Sequence, residues 1–510
     1  MVRLRRRWAL GLLLGGASAA ALGITEPVLG HHRTGTLVRR PGPPVPLENR
    51  AAGEPWWPDG GAPAADDQQR QIQGYASATS VAPGESIDFH VAVNPAGPFR
   101  ISIHRLGWYA GAGARTVLTS REFQGTPQAV PPADPRTGAI ACRWPVSWTL
   151  RVPDHWTSGL YQAVFHSTDG WRACTPFVVR DDRRAAALCV VLPVTTWQAY
   201  NQWPADRRNG KSLYNGYRAT GQRDPLLRAR EVCFDRPYPN DGTPSQFSKD
   251  EDAIRWLERS GYDLSYATSL DLHSGRLDPK RYRGIVFCGH DEYWSREMRQ
   301  AAEAAVAAGT SLAFFGANSI YWHARIRPGD DGRPERVVAC AKALADPDAD
   351  AAGPTTTWRA LGNPEQALLG VQYNGVVLTP QPLVVRSADH WVWAGTGVKN
   401  GDRIPGLIGG EADGFRRGGH HPTGVDAAIL SKSPYPAAEG GRRVQNAHVY
   451  ETTNGTVVFA TGTLNWTMAL NRQGVQDERI KRATANVLDR MVNRSAGATG
   501  RGRPAPPARP

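Results

Sequence analysis

The stretch from Gly284 to Gly316 constrains the fold more than any other part of this 510-residue chain. Gly284 to Cys288 is a short apolar run that ends at Gly289, and the polar and aromatic segment Gly289-His290-Asp291-Glu292-Tyr293-Trp294 follows it. Ser295 then caps an alanine-rich helix to Ala308, Gly309 stops it, and Leu312 to Phe315 is a second apolar run ending at Gly316. Buried strand, helix and buried strand in that order form a βαβ unit, with parallel strands and a right-handed crossover. Ala185 to Leu192 and Tyr262 to Ala267 read as further strands of the same sheet. Between them the capping-box pattern Ser248-Lys249-Asp250-Glu251 predicts a helix with Ile254, Trp256 and Leu257 on or near its packed face, stopped by Gly261. A last helix, about Glu478 to Val492, gathers Ile480, Val487, Leu488 and Met491 on one side. Residues 185–492 are therefore expected to be a doubly wound α/β domain.

A different period governs residues 72–181. Ile87 to Val91, Phe99 to His104, Ser147 to Val152, Leu160 to His166 and Thr175 to Val179 are short runs separated by Pro, Gly and Asp turn chemistry, which predicts a β-sandwich. A chain this long exceeds one hydrophobic core, so a sandwich followed by an α/β domain is a consistent division. Cys142 and Cys174 lie within the sandwich region and could bridge two strands, whereas Cys288 reads as a packed core thiol.

The net charge of +13 suggests nucleic acid until it is located: ten of those charges lie in the first 50 and last 20 residues. The middle is nearly balanced and carries no basic stripe, so nucleic acid is rejected as a partner. Arg3, Arg5, Arg6 and Arg7, the apolar start Trp8 to Leu14 and the small-residue stretch around Ala17-Ser18-Ala19 make residues 1–24 an export signal. The alternative is an uncleaved helix that anchors the protein to a membrane. Residues 25–71 read as a Pro/Gly/Arg-rich linker that wraps the sandwich, and 493–510 as a disordered basic tail.

In open α/β sheets, ligands bind beyond the carboxyl ends of the strands. Two polar segments fall there: 289–294, and Gly316-Ala317-Asn318-Ser319-Ile320-Tyr321-Trp322-His323. His290 and Glu292 are candidates for moving protons and Asn318 for orienting a polar substrate. The bland alternative is a pair of capped loops in which Asp291 or Asn318 satisfies backbone groups. Glu411 and Asp413 end a later apolar run and Asn465 follows another; for Asp413 and Asn465 a turn is the simpler reading, and for His420-His421 a loop. No G-x-S-x-G elbow is present, which argues against an ordinary α/β-hydrolase.

Four segments together carry a likeness. Gly-His-Asp-Glu-Tyr-Trp-Ser at 289–295, Gly-Ala-Asn-Ser-Ile-Tyr-Trp at 316–322, Trp256-Leu257-Glu258 ahead of Gly261-Tyr262-Asp263, and Arg105-Leu106-Gly107-Trp108-Tyr109-Ala110-Gly111 resemble the large (beta) subunit family of N,N-dimethylformamidase. The resemblance runs from about residue 72 to 492. It implies a sandwich followed by an amidotransferase-like α/β domain, hydrolysis of a small amide, and a mononuclear iron held by two tyrosines and a glutamate; zinc is the alternative metal for this chain. Matched position by position, Tyr293 is one tyrosine, Glu411 the candidate glutamate, and Asp252 stands where the second tyrosine is expected. A carboxylate can replace a phenolate as a hard oxygen ligand. The family enzyme also works with a small partner chain. The competing readings are a non-catalytic protein that binds a polar ligand or glycan on the same fold, and a scaffold that has lost the family activity.

Overall fold

Alternating apolar residues build two largely antiparallel sheets that face each other across one core. In the computed structural model, which describes residues 43–55, 62–420, 422 and 425–493, the larger sheet orders its strands Glu54–Pro55, Gly113–Thr119, Gly97–Leu106, Gly159–Ser167, Arg172–Val179 and Ser80–Val81. The smaller sheet is Ile72–Ala76, Ser86–Val93 and Trp148–Arg151. Phe89 and Val91 of the small sheet meet Ile101, Ile103, Phe165 and Phe177 of the large one, with the Phe89 ring edge-on to Phe165 and Phe177 at 6.3 and 5.8 Å. Each expected strand of this region is found, within a residue or three of its expected ends.

The C-terminal half is mixed α/β. Leu264–Thr268, Leu188–Leu192, Gly284–Phe287, Ser311–Phe314 and Val457–Ala460 are neighbours in that order, all parallel. His448–Thr452 and then Val425–Ile429 continue the sheet by antiparallel pairing. Ser295 caps the helix Arg296–Ala308 and Gly309 ends it in the left-handed conformation; the last helix is Glu478–Val492. A long ribbon of Gln372–Val384 and Arg403–Gly414 stands apart from the main sheet.

The two halves share their interior. Leu106, Leu160, Val164 and Val178 of the sandwich belong to the same apolar cluster as Leu188, Val190, Trp256 and Tyr266. Inside that contact Arg105 and Glu258, both fully buried, form a two-pronged ion pair, Nη2–Oε1 2.8 Å and Nη1–Oε2 3.0 Å. Asn49 Nδ2 and Tyr266 Oη donate to the same carboxylate at 2.8 and 2.7 Å. Two of the four segments that carried the family likeness, around Arg105 and around Glu258, thus serve to join the layers.

Several expectations are corrected. The helix expected from a Ser248 cap begins at Phe247, with Gln246 as its N-cap and no capping-box bond. Phe247 is buried against Trp197, with ring centroids 5.3 Å apart, and this tertiary anchor draws the helix start back. Asp250 therefore occupies the first turn and Asp252 the second. Cys142 lies outside any strand, near Tyr75 and Trp144, while Cys174 sits on Arg172–Val179 in the main cluster. Both are free buried thiols, as are the other four cysteines, so the expected bridge is not formed. Cys288 is buried and unpaired, as read. Part of the stretch expected as linker is ordered: Pro44–Glu48 is a short helix, and Glu54–Pro55 extends the sandwich edge. Residues 1–24 and the tail beyond residue 493 lie outside the described residues, as does His421. Among the described residues no helix is long and apolar enough to cross a membrane.

Candidate functional site

The strand Gly284–Phe287 delivers the chain to Gly289 at the carboxyl edge of the sheet. Gly289 adopts φ +60, and a Cβ placed there would stand 2.1 Å from Asp250 Oδ1. A Cβ on Gly316 would stand 1.9 Å from the Gly289 carbonyl oxygen. The two strand-end loops touch through backbone alone, which only glycine permits. Their backbones are also laced together: Ile320 N–H donates to the Asp291 carbonyl at 2.9 Å, and Tyr321 and Trp322 N–H both donate to that of Glu292 at 3.0 Å. From the other side, Thr196 in the helix Val194–Tyr200 accepts from Glu292 N–H at 2.9 Å and Tyr293 N–H at 3.2 Å. Asn318 and Ile320 hold left-handed φ values of 55 and 59. That conformation is uncommon for asparagine and costly for a β-branched residue, and such strain concentrates where a loop is shaped for a task.

Glu292 is the hub of the side chains so placed. Its carboxylate accepts from Tyr200 Oη at 3.0 Å, from Tyr214 Oη, and from Asn318 Nδ2 at 3.2 Å. His290 Nε2 lies 3.1 Å from Glu292 Oε2, 3.2 Å from Tyr200 Oη and 3.6 Å from Glu411 Oε2. His290 Nδ1 faces the Ala317 carbonyl at 3.3 Å, an acceptor that fixes a proton on that nitrogen. Burial works against charge on His290, but Glu411 and Glu292 outweigh it and raise the imidazole to about 9. Burial likewise pushes Glu292 up, yet the His290 hydrogen bond and charge bring it below the ordinary carboxylate range. Glu411 is raised, first by burial. The result is an imidazolium between an ionised carboxylate and a more basic one, an arrangement suited to passing protons.

Glu411 reaches this point from the ribbon, where it pairs opposite Val376. Asp413, two residues on, is in the same strand rather than in a turn, and its Oδ1 accepts Asn318 N–H at 2.8 Å. Burial raises Asp413 to about 7. Tyr293 is fully buried beside the Tyr214 hydroxyl, and its own hydroxyl makes no hydrogen bond of good geometry. Burial keeps the phenols of Tyr293, Tyr200 and Tyr214 well above their usual value. Asp252 is placed differently. It is paired to Arg472 at 2.6 Å and accepts from Asn471 Nδ2 at 3.5 Å. The structure therefore brings His290, Glu292, Asn318 and Glu411 into one network with Tyr293 at its side, and commits Asp252 to an ion pair. Among the described residues no group of three His, Cys, Asp or Glu is arranged to hold a metal.

Sequence reasoning missed Tyr200, Tyr214 and Lys342. Tyr200 and Tyr214 stack at 4.6 Å, and Lys342 Nζ sits 3.3 Å from the centre of the Tyr214 ring. Burial lowers Lys342 to about 8, against the pull of Glu292. No local motif marks these residues: Tyr200 ends the short helix Val194–Tyr200, and Tyr214 and Lys342 come from irregular segments. Asp250 and Asp291 are also buried beneath the loop and raised by burial to about 8 and about 7.

The chain is a mixed α/β protein with a buried carboxylate–imidazole–carboxylate network at the parallel strand ends. More narrowly, the chain belongs to the N,N-dimethylformamidase beta subunit-like family, whose C-terminal model matches residues 100–479. It is 23% identical over 422 residues to the N,N-dimethylformamidase beta subunit of Paracoccus aminophilus, covering 69% of this chain and 54% of that protein. It is 22% identical over 423 residues to the beta subunit from Alcaligenes sp, with the same coverage. The chain thus spans about half the length of the curated relatives it matches. Among solved structures, a superoxide reductase (neelaredoxin) from Ignicoccus hospitalis matches at TM-score 0.14 and 14% identity, over 21% of this chain and 80% of that one. A cycloisomaltooligosaccharide glucanotransferase from Paenibacillus sp. matches at TM-score 0.17 and 8% identity, over 61% of each chain. Likenesses this slight carry no argument about fold or chemistry.

Proposed function

We propose that the chain is a metal-dependent hydrolase of amide or related C–N bonds. The observation that carries this reading is His290 held between Glu292 and Glu411 in a member of the N,N-dimethylformamidase family. Amide hydrolysis needs a proton on the departing nitrogen as water adds to the carbonyl carbon. His290 Nε2, facing two carboxylates and the Tyr200 hydroxyl, is the group that delivers it. Glu292 orients the ring, and Asn318 holds Glu292 while its own Oδ1, buried and without a partner, is left for the substrate. Tyr293 and Glu411 would hold a hard cation, ferric iron or alternatively zinc, because Tyr293 Oη and Glu411 Oε2 are buried oxygens for which no neighbour offers a hydrogen bond of good geometry. Bound there, the ion would polarise the amide carbonyl and lower the pKa of a water. Asp252 would join such a set only on release of Arg472. The same reading takes the α/β half as amidotransferase-like, the substrate as a small polar amide, and the N-terminus as an export signal or membrane anchor.

The test is metal content and turnover of the full chain. Protein supplied with iron should retain about one equivalent and hydrolyse small formamides. Tyr293→Phe should lose the metal, and His290→Gln should keep it while kcat falls by about 10²–10⁴. Folded protein that takes up neither iron nor zinc, cleaves no amide and binds glycans would replace this reading with ligand binding on the same fold.

A further inference from the structure

Lys342 lies against this site, and nothing in the chemistry above uses it. Its backbone is left-handed, φ 58, a conformation that a long side chain adopts only when its surroundings impose it. Its ammonium stands 3.3 Å from the centre of the Tyr214 ring, 4.8 Å from Trp322 and 5.4 Å from Tyr293. Among the described residues it has no hydrogen-bond or ion-pair partner. Three ring faces hold a cation by their quadrupoles, but they leave its three N–H donors unused.

Lys342 is not needed to complete Glu292, whose carboxylate already has Tyr200, Tyr214, Asn318 and His290. The cage and the hub are nevertheless one construction. Tyr214 carries Lys342 on its face, donates its hydroxyl to Glu292, and accepts from Trp322 Nε1 at 3.2 Å. An anion drawn to Lys342 would therefore sit beside the network that handles the amide. A second lysine strengthens the point. Lys249, in the first turn of Phe247–Arg259, is half-buried, also lacks an ion-pair partner among the described residues, and lies within the field of Glu411. Two half-buried cations, neither in an ion pair among the described residues, thus lie in the fields of Glu292 and Glu411.

We infer that the amide cleaved here carries a carboxylate, and that Lys342 is the side chain that anchors it. This rests on the hydrolase reading. For the simplest such substrate, water adds to the formyl carbon of N-formylglycine, the C–N bond breaks, the nitrogen takes a proton, and formate and glycine leave. N-methylformamide is the same amide without the carboxylate, so the pair isolates its contribution.

The experiment compares the two amides on the metal-loaded full chain, on Lys342→Met and on Lys342→Arg. The expected result is a kcat/KM for N-formylglycine at least roughly tenfold above that for N-methylformamide. That preference should collapse in Lys342→Met through a raised KM for N-formylglycine and return in part in Lys342→Arg. Equal kcat/KM for the two amides in the native protein, or an equal loss on both in Lys342→Met, overturns the assignment. If neither amide is cleaved, the hydrolase reading fails by itself and calorimetric titration with N-formylglycine decides the anchor. Binding by native protein that is lost in Lys342→Met and kept in Lys342→Arg supports it, whereas no binding, or binding unchanged by Lys342→Met, overturns it.

Discussion

Replacing Glu258 by glutamine should reveal how the sandwich and the α/β layer are held together. The Glu258 carboxylate accepts four hydrogen bonds, two from Arg105 and one each from Asn49 and Tyr266. Neither side chain of the pair touches solvent. Burial opposes the charge on Arg105, but Glu258 more than offsets it and keeps the guanidinium ionised at any accessible pH. Glutamine preserves the shape but removes the counter-charge, leaving a buried cation whose water cannot be restored. Breaking a buried pair in this way costs about 3–5 kcal/mol, a large part of the 5–15 kcal/mol that stabilises a typical domain. Urea unfolding followed by tryptophan fluorescence should show a lower midpoint with an unchanged slope. The double variant Arg105→Met with Glu258→Leu removes both charges and should recover most of the loss, because an apolar pair of similar volume needs no desolvation. A Glu258→Gln midpoint within about 1 kcal/mol of the native one, the range of exposed pairs, would refute the claim that this bridge is dry and joins the layers.

Two further outcomes are expected. Gly289→Ala forces an L residue into φ +60 and puts its Cβ 2.1 Å from Asp250 Oδ1; stability should fall by about 1–3 kcal/mol and the metal or ligand affinity with it, and a variant of native stability would mean that the loop does not press on the helix Phe247–Arg259 there. His104, which contacts Ser102 and Thr116, is lowered to about 4 by burial and then by the facing His166. A depressed histidine stays neutral in the fold while the unfolded chain takes up a proton near 6.5, so this part of the stability is complete above about 6.5 and is lost as pH falls toward about 4. Unfolding midpoints at pH 7 and pH 5 should differ more for the native protein than for His104→Gln, and identical differences would remove His104 as the cause.

Much of the chain could be read locally. The helix Arg296–Ala308 was legible end to end because Ser295 and Gly309 mark its limits by short-range chemistry, and Glu478–Val492 because its apolar residues repeat at the helical period. The strand-end rule brought His290, Glu292 and Asn318 to one place, since parallel strands deliver their following loops to the same edge. Tertiary structure alone decided the rest. Tyr200, at the end of a two-turn helix, and Tyr214, in an irregular segment, meet Glu292 across 92 and 78 residues, and neither stretch is long enough to show a period. Lys342 enters from an irregular stretch for the same reason. The Phe247 ring, buried against Trp197, overrode the local cap at Ser248 and moved the helix start, and Asp252 meets Arg472, 220 residues on, rather than the network. Short-range propensity fixes which elements form and where many of them end. Which loops touch is decided by how those elements bury their apolar faces together, and in this protein the chemistry of the site lies in those contacts.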